Sequence, residues 1–251
     1  MQKQERVSYI KSKSLGFKTS IIALMSALTT VTTMVISIYI PASEGFFNIG
    51  ESMVYVSAIL FGPVIGGLSG GIGSFLADIL LGFVNYAPGT LIIKGLEGYI
   101  VGFIYSKLKE SQKLKQLKNL LILILSLMIS ISLVSIGILY YTGIAEFSGF
   151  NYLWVFNINL TVILWIIISI LSFIGIMYIE RKKGMNVSNA IISMLIGGIE
   201  MVVGYLLYAT FLLGYLTAYV EIPFNIMQCI IGIIIAISLI SPLENMIELK
   251  K

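Results

Sequence analysis

The sequence predicts an all-α fold, a polytopic bundle of transmembrane helices that forms one integral membrane domain over residues 1–251. Of the 251 residues, 58% are hydrophobic and only 11% are charged, whereas a soluble domain carries about 25% charged residues. Several apolar runs exceed the ~18 residues that identify a membrane-spanning helix. A transmembrane β-barrel would instead show alternating segments of about 10 residues.

Polar or helix-breaking connections divide the chain into about eight hydrophobic segments. A basic tail precedes the first segment, Gly62 and Pro63 separate the second from the third, and the loop at 83–88 precedes the fourth. The lysine-rich string KLKESQKLKQLK follows the fourth, and Pro223 begins the last. The segments cover residues 17–40, 46–61, 63–82, 89–106, 119–140, 156–179, 186–214 and 223–243.

Charge placement predicts the orientation of the chain in the membrane. If the N-terminus is cytoplasmic, all but one of the 16 lysine and arginine residues fall in cytoplasmic tails and loops. This distribution satisfies the positive-inside rule and predicts a multi-pass protein of the cell (plasma) membrane with both termini in the cytoplasm. The exception is Lys94, which lies inside the fourth segment.

Composition argues against several classes of site. The chain has no histidine and one cysteine, Cys229, so it lacks the commonest metal ligand, the usual catalytic base and any internal disulfide. No aromatic residues interleave with the lysines, as a nucleic-acid surface would require. The string GGLSGGIG lacks the GK[ST] ending of a phosphate-binding loop. We expect no catalytic residue, no metal, no cofactor and no nucleic-acid partner.

Several polar residues lie at similar depth in the outer half of the predicted bilayer. Lys94 and Glu97 are three residues apart and can pair on one helix face. Asn225 and Gln228 share a face of the last segment, again three residues apart. The polar residues Asp78 and Glu200 come from two further segments. An unpaired central charge costs about 2.5–3.5 kcal/mol in insertion experiments, so these residues are expected to face a site inside the bundle. The alternative is a structural ion pair that holds two helices in register.

Two long stretches resemble a known transporter family. The first is FNIGESMVYVSAILFGPVIGGLSGGIGSFLADILLGFVNYAPGTLIIKGLEG, at 47–98, and the second is GYLLYATFLLGYLTAYVEIPFNIMQCIIGIIIA, at 204–236. Both are similar to the substrate-binding (S) components of energy-coupling factor (ECF) vitamin transporters, in the group assigned to hydroxymethylpyrimidine, pyridoxine or riboflavin. Ala23 and Ala27 match the AxxxA motif of this family.

The resemblance implies a function and a set of partners. An S component binds a vitamin or vitamin precursor from outside and associates with a coupling transmembrane subunit and two cytoplasmic ATPases. Ala23 and Ala27 would contact the coupling subunit. S components usually have six helices, so residues 1–118 and 184–251 would form the core, and 119–183 would be an inserted helical pair.

We expect the ligand site to combine these polar residues with the outer loops. Loop residues Asn85 and Tyr86 could form a wall, and Asn48 and Glu51 could belong to a lid. An excess of acids favours a substrate with amine or ring N–H donors, such as an aminopyrimidine or a pyridoxine-like ring. The candidate substrate-binding residues are Asn48, Glu51, Asn85, Tyr86, Lys94, Glu97, Glu200, Tyr205, Asn225 and Gln228.

Three other classes of protein remain as alternatives. A stand-alone, proton-coupled secondary transporter could use Glu97 or Glu200 as proton carrier and would need no ATPase, but no inverted repeat is visible. An intramembrane enzyme is disfavoured because histidine, a paired aspartate motif and a nucleophile elbow are missing. A scaffold without ligand would not need the embedded polar residues.

Overall fold

The chain folds as a helical bundle with a small β-sheet at one end. The structure is a computed structural model that describes residues 14–40, 45–108, 118–150, 153–182 and 187–248. Both chain termini and most of the predicted lysine-rich loop lie outside the described residues. The charge pattern that predicts the orientation therefore falls largely on residues that are not described.

Eight helices are present in the described part of the chain. They are α1 (Leu15–Val35), α2 (Glu51–Phe61), α3 (Pro63–Leu81), α4 (Ala87–Leu108), α5 (Lys118–Tyr140), α6 (Val162–Lys182), α7 (Val187–Leu213) and α8 (Tyr215–Glu248). Among these described helices, seven are long and apolar enough to cross a membrane, and α2 is a shorter apolar helix. The prediction of a polytopic helical bundle is confirmed.

Glycine and proline set the sharp turns between helices. Gly62 ends α2 with a φ of 89°, which side chains with a Cβ rarely adopt, and Pro63 starts α3 at once. Gly82 ends α3 in the left-handed region, and Gly214 separates α7 from α8 with a φ of 89°. These turns place the C-terminal end of α3 beside the N-terminal end of α4, on the side of the bundle that carries the sheet.

Helices α3 and α4 pack backbone against backbone. A Cβ added at Gly98 would meet the backbone of Gly66, and one added at Gly102 would meet Pro63. Small residues allow such close approach between membrane helices. Helices α3 and α4 therefore form a closely packed pair.

A four-stranded antiparallel sheet covers one end of the bundle, within the described residues. Its strands are β1 (Ser37–Ile40), β2 (Gly45–Asn48), β3 (Gly143–Gly149) and β4 (Trp154–Leu160), in the order β2-β1-β3-β4. The hairpin β1–β2 joins the hairpin β3–β4 where Ser37 pairs with Ser148. The sequence predicted helical segments over 17–40, 46–61 and 156–179, and the sheet takes up one end of each.

The sheet ties α5 and α6 to the rest of the bundle. These two helices pack on each other and also contact α7 and α8. Tyr141, just after α5, stacks edge-on against Phe224 of α8 with ring centroids 5.2 Å apart, and the backbone oxygen of Tyr141 accepts a hydrogen bond from Trp165 Nε1 at 3.2 Å. Whether 119–183 is an insertion into a six-helix core stays a prediction.

Candidate functional site

A buried charge cluster lies where α2, α4 and α8 meet. Lys94 Nζ donates to Glu97 Oε2 at 2.9 Å and also to Glu51 Oε2. The three residues are 4%, 0% and 1% exposed for Lys94, Glu97 and Glu51, respectively. The predicted pairing of Lys94 with Glu97 is present, and Glu51 is a second carboxylate on the same ammonium. Together they form what we call the buried charge cluster.

Glycines on neighbouring helices make room for the buried charge cluster. A Cβ at Gly232 of α8 would lie 2.6 Å from Glu51 Cγ. One at Gly197 of α7 would lie 3.4 Å from Glu97 Cγ. The absence of a side chain at these two glycines thus lets the long acidic side chains approach the backbones of α7 and α8.

Tyr55 and Cys229 complete the polar surroundings of Glu97. The Tyr55 hydroxyl lies 3.2 Å from Glu97 Oε1 and 3.3 Å from Cys229 Sγ. Glu97 is therefore held by hydrogen bonds as well as by charge, as a buried ion requires.

Gln228 connects the buried charge cluster to strand β2. Its Nε2 donates to Glu51 Oε2 at 3.1 Å. Its Oε1 accepts from both the backbone N–H and the side-chain Nδ2 of Asn48, each at 3.2 Å. Asn48 Oδ1 in turn accepts from the N–H of Gly50 at 2.9 Å. The chain of hydrogen bonds runs without a break from α4 to the strand at the end of the bundle.

A polar cavity of about 50 Å³ adjoins this chain of hydrogen bonds. Strand β2, the loop before α4, and helices α3, α4, α7 and α8 all contribute to its lining. Polar residues from different parts of the bundle therefore converge at this cavity. The lining residues are Phe46, Asn48, Asp78, Phe83, Tyr86, Thr90, Tyr205, Glu221, Asn225 and Gln228.

Two carboxylates and several hydrogen-bonding groups give the polar cavity its chemistry. Asp78 and Glu221 are 4% and 6% exposed. Glu221 Oε1 accepts from the Tyr86 hydroxyl at 2.8 Å, and Tyr205 donates to Thr90 Oγ1 at 3.0 Å. Asp78 Oδ2 is buried and accepts no hydrogen bond from any residue that the structure describes.

Aromatic rings form the apolar part of the same wall. Phe46 of β2 and Phe83 stack with centroids 4.4 Å apart. The Tyr205 ring lines the polar cavity and also lies 5.7 Å from Lys94 Nζ, so it adjoins the buried charge cluster. A flat ring with hydrogen-bond donors on its edge is the kind of ligand that such a wall suits.

The charges of the site do not balance. Among the described residues that form the buried charge cluster or line the polar cavity, Lys94 is the one cation. The same set of residues contains four carboxyl groups, those of Glu51, Asp78, Glu97 and Glu221, of which Lys94 contacts Glu51 and Glu97. A ligand that brings hydrogen-bond donors or positive charge would therefore be favoured over an anion.

The structure groups the predicted site residues in three ways. Five line the polar cavity, and three form the buried charge cluster. The remaining two, Glu200 and Asn85, belong to neither group. Glu200 is half-buried on α7. Asn85 is exposed, and its backbone oxygen accepts a hydrogen bond from the Tyr208 hydroxyl at 2.9 Å. The five lining residues are Asn48, Tyr86, Tyr205, Asn225 and Gln228.

Sequence reasoning missed several residues of the cavity wall. Glu221 lies four residues before Asn225 on the same helix face, a spacing that could have identified it. Asp78 was expected at this depth but not among the binding residues. Phe46 and Phe83 carry no sequence pattern that distinguishes them from other apolar residues.

Two proteins resemble parts of this chain. A protein of Pyrococcus woesei described as an uncharacterized protein in gap 3'region is 54% identical over 74 residues, which are 30% of this chain and 49% of that protein. The thiamine precursor transporter HmpT of Lactococcus lactis subsp. cremoris (strain MG1363) is 35% identical over 86 residues, 34% of this chain and 52% of that protein. The chain spans about half the length of these curated relatives.

A family match covers a larger part of the chain. The family is described as ECF-type riboflavin transporter, S component, and residues 17–178 match it. The match begins in α1 and runs through the polar loop before α4 to the last part of α6, so it includes the pair α5 and α6. Taken with the spanning helices, this match over more than half of its residues shows that the chain is a multi-pass membrane protein of the ECF-type riboflavin transporter S component family.

Proposed function

We propose that this protein binds a small nitrogen heterocycle, of the vitamin or vitamin-precursor class, in the polar cavity. The observation that carries the proposal is the lining itself, in which Asp78 and Glu221 lie beside amide side chains and stacked aromatic rings. Membership of the S-component family and the likeness to a thiamine precursor transporter support the same class of ligand.

A monocyclic ring with amine or ring N–H donors is the preferred ligand. Asp78 Oδ2 is a buried acceptor, and Asn225 and Gln228 offer both donors and acceptors. One water molecule needs about 10–15 Å³ of a cavity volume measured in this way, so a cavity of about 50 Å³ has room for a few waters and has to widen for a ring. A tricyclic flavin would require a much larger rearrangement, which favours an aminopyrimidine or a pyridoxine-like ring.

Lys94 and Glu97 would then act through Gln228. Neither residue lines the polar cavity, and Gln228 is bonded to their partner Glu51 at 3.1 Å. Their role in this proposal is to hold the amide of Gln228 in one orientation, so that its donor and acceptor are already in position when the ligand binds.

Transport would depend on partner subunits that face α1. Ala23 and Ala27 are both exposed on this helix, where small side chains allow another membrane helix to approach closely. We infer that a coupling transmembrane subunit docks there and that two cytoplasmic ATPases supply the energy. The ligand would enter from the outer side, where the sheet would lie.

The test is to identify the ligand and then to weaken its binding. Protein purified in detergent is denatured, and released small molecules are identified by mass spectrometry. A panel of pyrimidine, pyridine and flavin vitamins is then titrated by calorimetry. We expect a pyrimidine or pyridine to bind, and we expect Asp78→Asn and Gln228→Leu each to weaken binding about tenfold or more, because a hydrogen bond to a charged group is worth about 1.5–3 kcal/mol.

A carboxylate outside the site provides the matched control. Glu146 is exposed on β3, and Glu146→Gln should leave the affinity unchanged. Binding that none of these substitutions alters would place the ligand elsewhere. Uptake into vesicles that contain this chain alone, driven by a pH gradient, would instead support a secondary transporter.

A further inference from the structure

A second cavity of about 250 Å³ lies between α5, α6, α8 and the sheet. Its wall is apolar and rich in aromatic rings, including Phe47, Tyr141 and Trp165. The wall continues into the bundle with Leu133 of α5, Ile168 of α6 and Ile231 of α8. We call it the apolar cavity.

Strand β2 separates the apolar cavity from the polar cavity. Successive side chains of a strand point to opposite faces, and here Phe46 and Asn48 line the polar cavity while Phe47 lines the apolar one. The two cavities therefore differ in chemistry although one strand contributes to both.

The apolar cavity lies at the level of the lipid acyl chains. Leu133 is seven residues from the sheet end of α5, and Ile168 is six residues from the sheet end of α6. At 1.5 Å per residue they lie about 9–11 Å below the helix ends. Half of a hydrocarbon core about 30 Å thick is about 15 Å, so the cavity belongs to one leaflet.

One polar group of the wall has no partner. The Tyr141 hydroxyl is buried and makes no hydrogen bond within the described residues, and Tyr141 is only 9% exposed. The other hydroxyl of the wall, that of Ser172, donates to its own helix at the Ile168 oxygen, 2.8 Å away. Tyr141 follows the end of α5, where an interfacial tyrosine is expected.

We propose that the apolar cavity binds one acyl chain of a membrane phospholipid, with the ester carbonyl of that chain accepting a hydrogen bond from the Tyr141 hydroxyl. The wall favours methylene groups, and the single unpartnered donor lies at the end where the ester would be. Phospholipid is also the apolar molecule that surrounds this part of the chain in a membrane.

Other occupants fit the wall less well. A polar vitamin would lose its hydrogen bonds to water without regaining them on this wall. Apolar cavities of comparable size stay dry and bind apolar molecules, so water is not a competing occupant. Ile168 and Ile231 are only partly buried, which leaves apolar surface for a chain to cover.

Tryptophan fluorescence can test this proposal directly. The chain has 2 tryptophans, so Trp154→Phe leaves Trp165, in the cavity wall, as the single reporter. The full chain with this substitution is placed in bilayers of phosphatidylcholine that carries bromine on its acyl chains, a contact quencher of tryptophan. We expect at least a twofold loss of Trp165 fluorescence relative to bilayers of the same lipid without bromine.

A cavity-filling substitution separates a bound chain from the surrounding lipid. Ile168→Phe, added to this variant, should restore most of the fluorescence because the new ring occupies the cavity. Ile167→Phe is the matched control, since Ile167 is 49% exposed on the outer face of α6, and it should leave the quenching unchanged. Equal quenching in both variants, or no quenching in the parent, would overturn the proposal.

A second measurement does not depend on how these variants fold. Native mass spectrometry of the unaltered chain, released from phosphatidylcholine bilayers, should show one retained phospholipid. Tyr141→Phe should lower the retained fraction at least twofold, and Tyr140→Phe, at an exposed neighbouring ring, should not. Retention of no phospholipid by the unaltered chain would also contradict the proposal.

Discussion

At the scale of single residues, the central question is how a lysine persists inside a membrane helix. Lys94 is shared between two carboxylates, one three residues along its own helix and one at the start of α2. Burial of an ion is tolerated where an opposite charge and further hydrogen bonds replace its hydration. The sequence indicated the pair with Glu97, while the pair with Glu51 became visible only in the fold.

Removal of the ammonium should destabilise the protein strongly. Lys94→Met leaves Glu51 and Glu97 close together and buried without a cation, and breaking a buried ion pair in this way costs about 3–5 kcal/mol. We expect a clearly lower Tm in detergent, measured by the fluorescence of the tryptophans. Lys107→Met, at an exposed position near the end of the same helix, is the control and should change Tm little. Equal Tm values for the two variants would rule out a stabilising role for Lys94.

At the scale of elements, the contact between α3 and α4 shows which glycines matter. Glycines 95 and 98 both lie on α4 and cannot be distinguished by the sequence pattern. A Cβ at Gly98 would meet the backbone of Gly66, whereas one at Gly95 would find no atom outside its own helix closer than 3.7 Å. Only the packed structure separates a glycine that is required from one that is tolerated.

The two substitutions should therefore differ in their effect on stability. Gly98→Ala would force the helices apart, with a cost of about 1–3 kcal/mol as in other overpacked interiors. Gly95→Ala should be neutral or stabilising by up to about 1 kcal/mol, because alanine favours the helix. Thermal unfolding of both variants beside the parent gives the comparison. A Gly98→Ala protein as stable as Gly95→Ala would show that the close approach is not needed.

The sheet is the element that sequence patterns failed to predict. In the sequence, residues 37–40 and 156–160 look like the ends of long apolar helical segments. A short apolar run fits a strand and a buried helix equally well, so the pattern could not distinguish them. Pairing of Ser37 with Ser148 joins two hairpins more than a hundred residues apart. Pairing between strands so far apart in the sequence leaves no periodic pattern of residues within either segment.

At the scale of the whole molecule, α6 begins at the sheet and is long enough to cross the membrane. The sheet and the C-terminal end of α6 therefore lie on opposite membrane faces. The positive-inside rule predicts that the sheet faces outward. Because Cys229 is the single cysteine and is buried, introduced cysteines can report on this orientation.

Labelling of intact cells with a membrane-impermeant maleimide should distinguish the two faces. Glu146→Cys, on β3 of the sheet, is expected to react in intact cells. Arg181→Cys, at the other end of α6, is expected to react only after lysis. Both native side chains are exposed, so access is not limited by burial. The reverse pattern would mean that the orientation inferred from charge is wrong.

The sequence by itself determined the helical membrane class, the order of the helices and the pairing of Lys94 with Glu97. These properties depend on composition and on local spacing, which a linear chain displays directly. Tertiary structure alone decided that Glu51 shares Lys94, that Asp78 and Glu221 face the same polar cavity, and that two hairpins join into one sheet. Each of these depends on segments far apart in the chain, which only packing brings together.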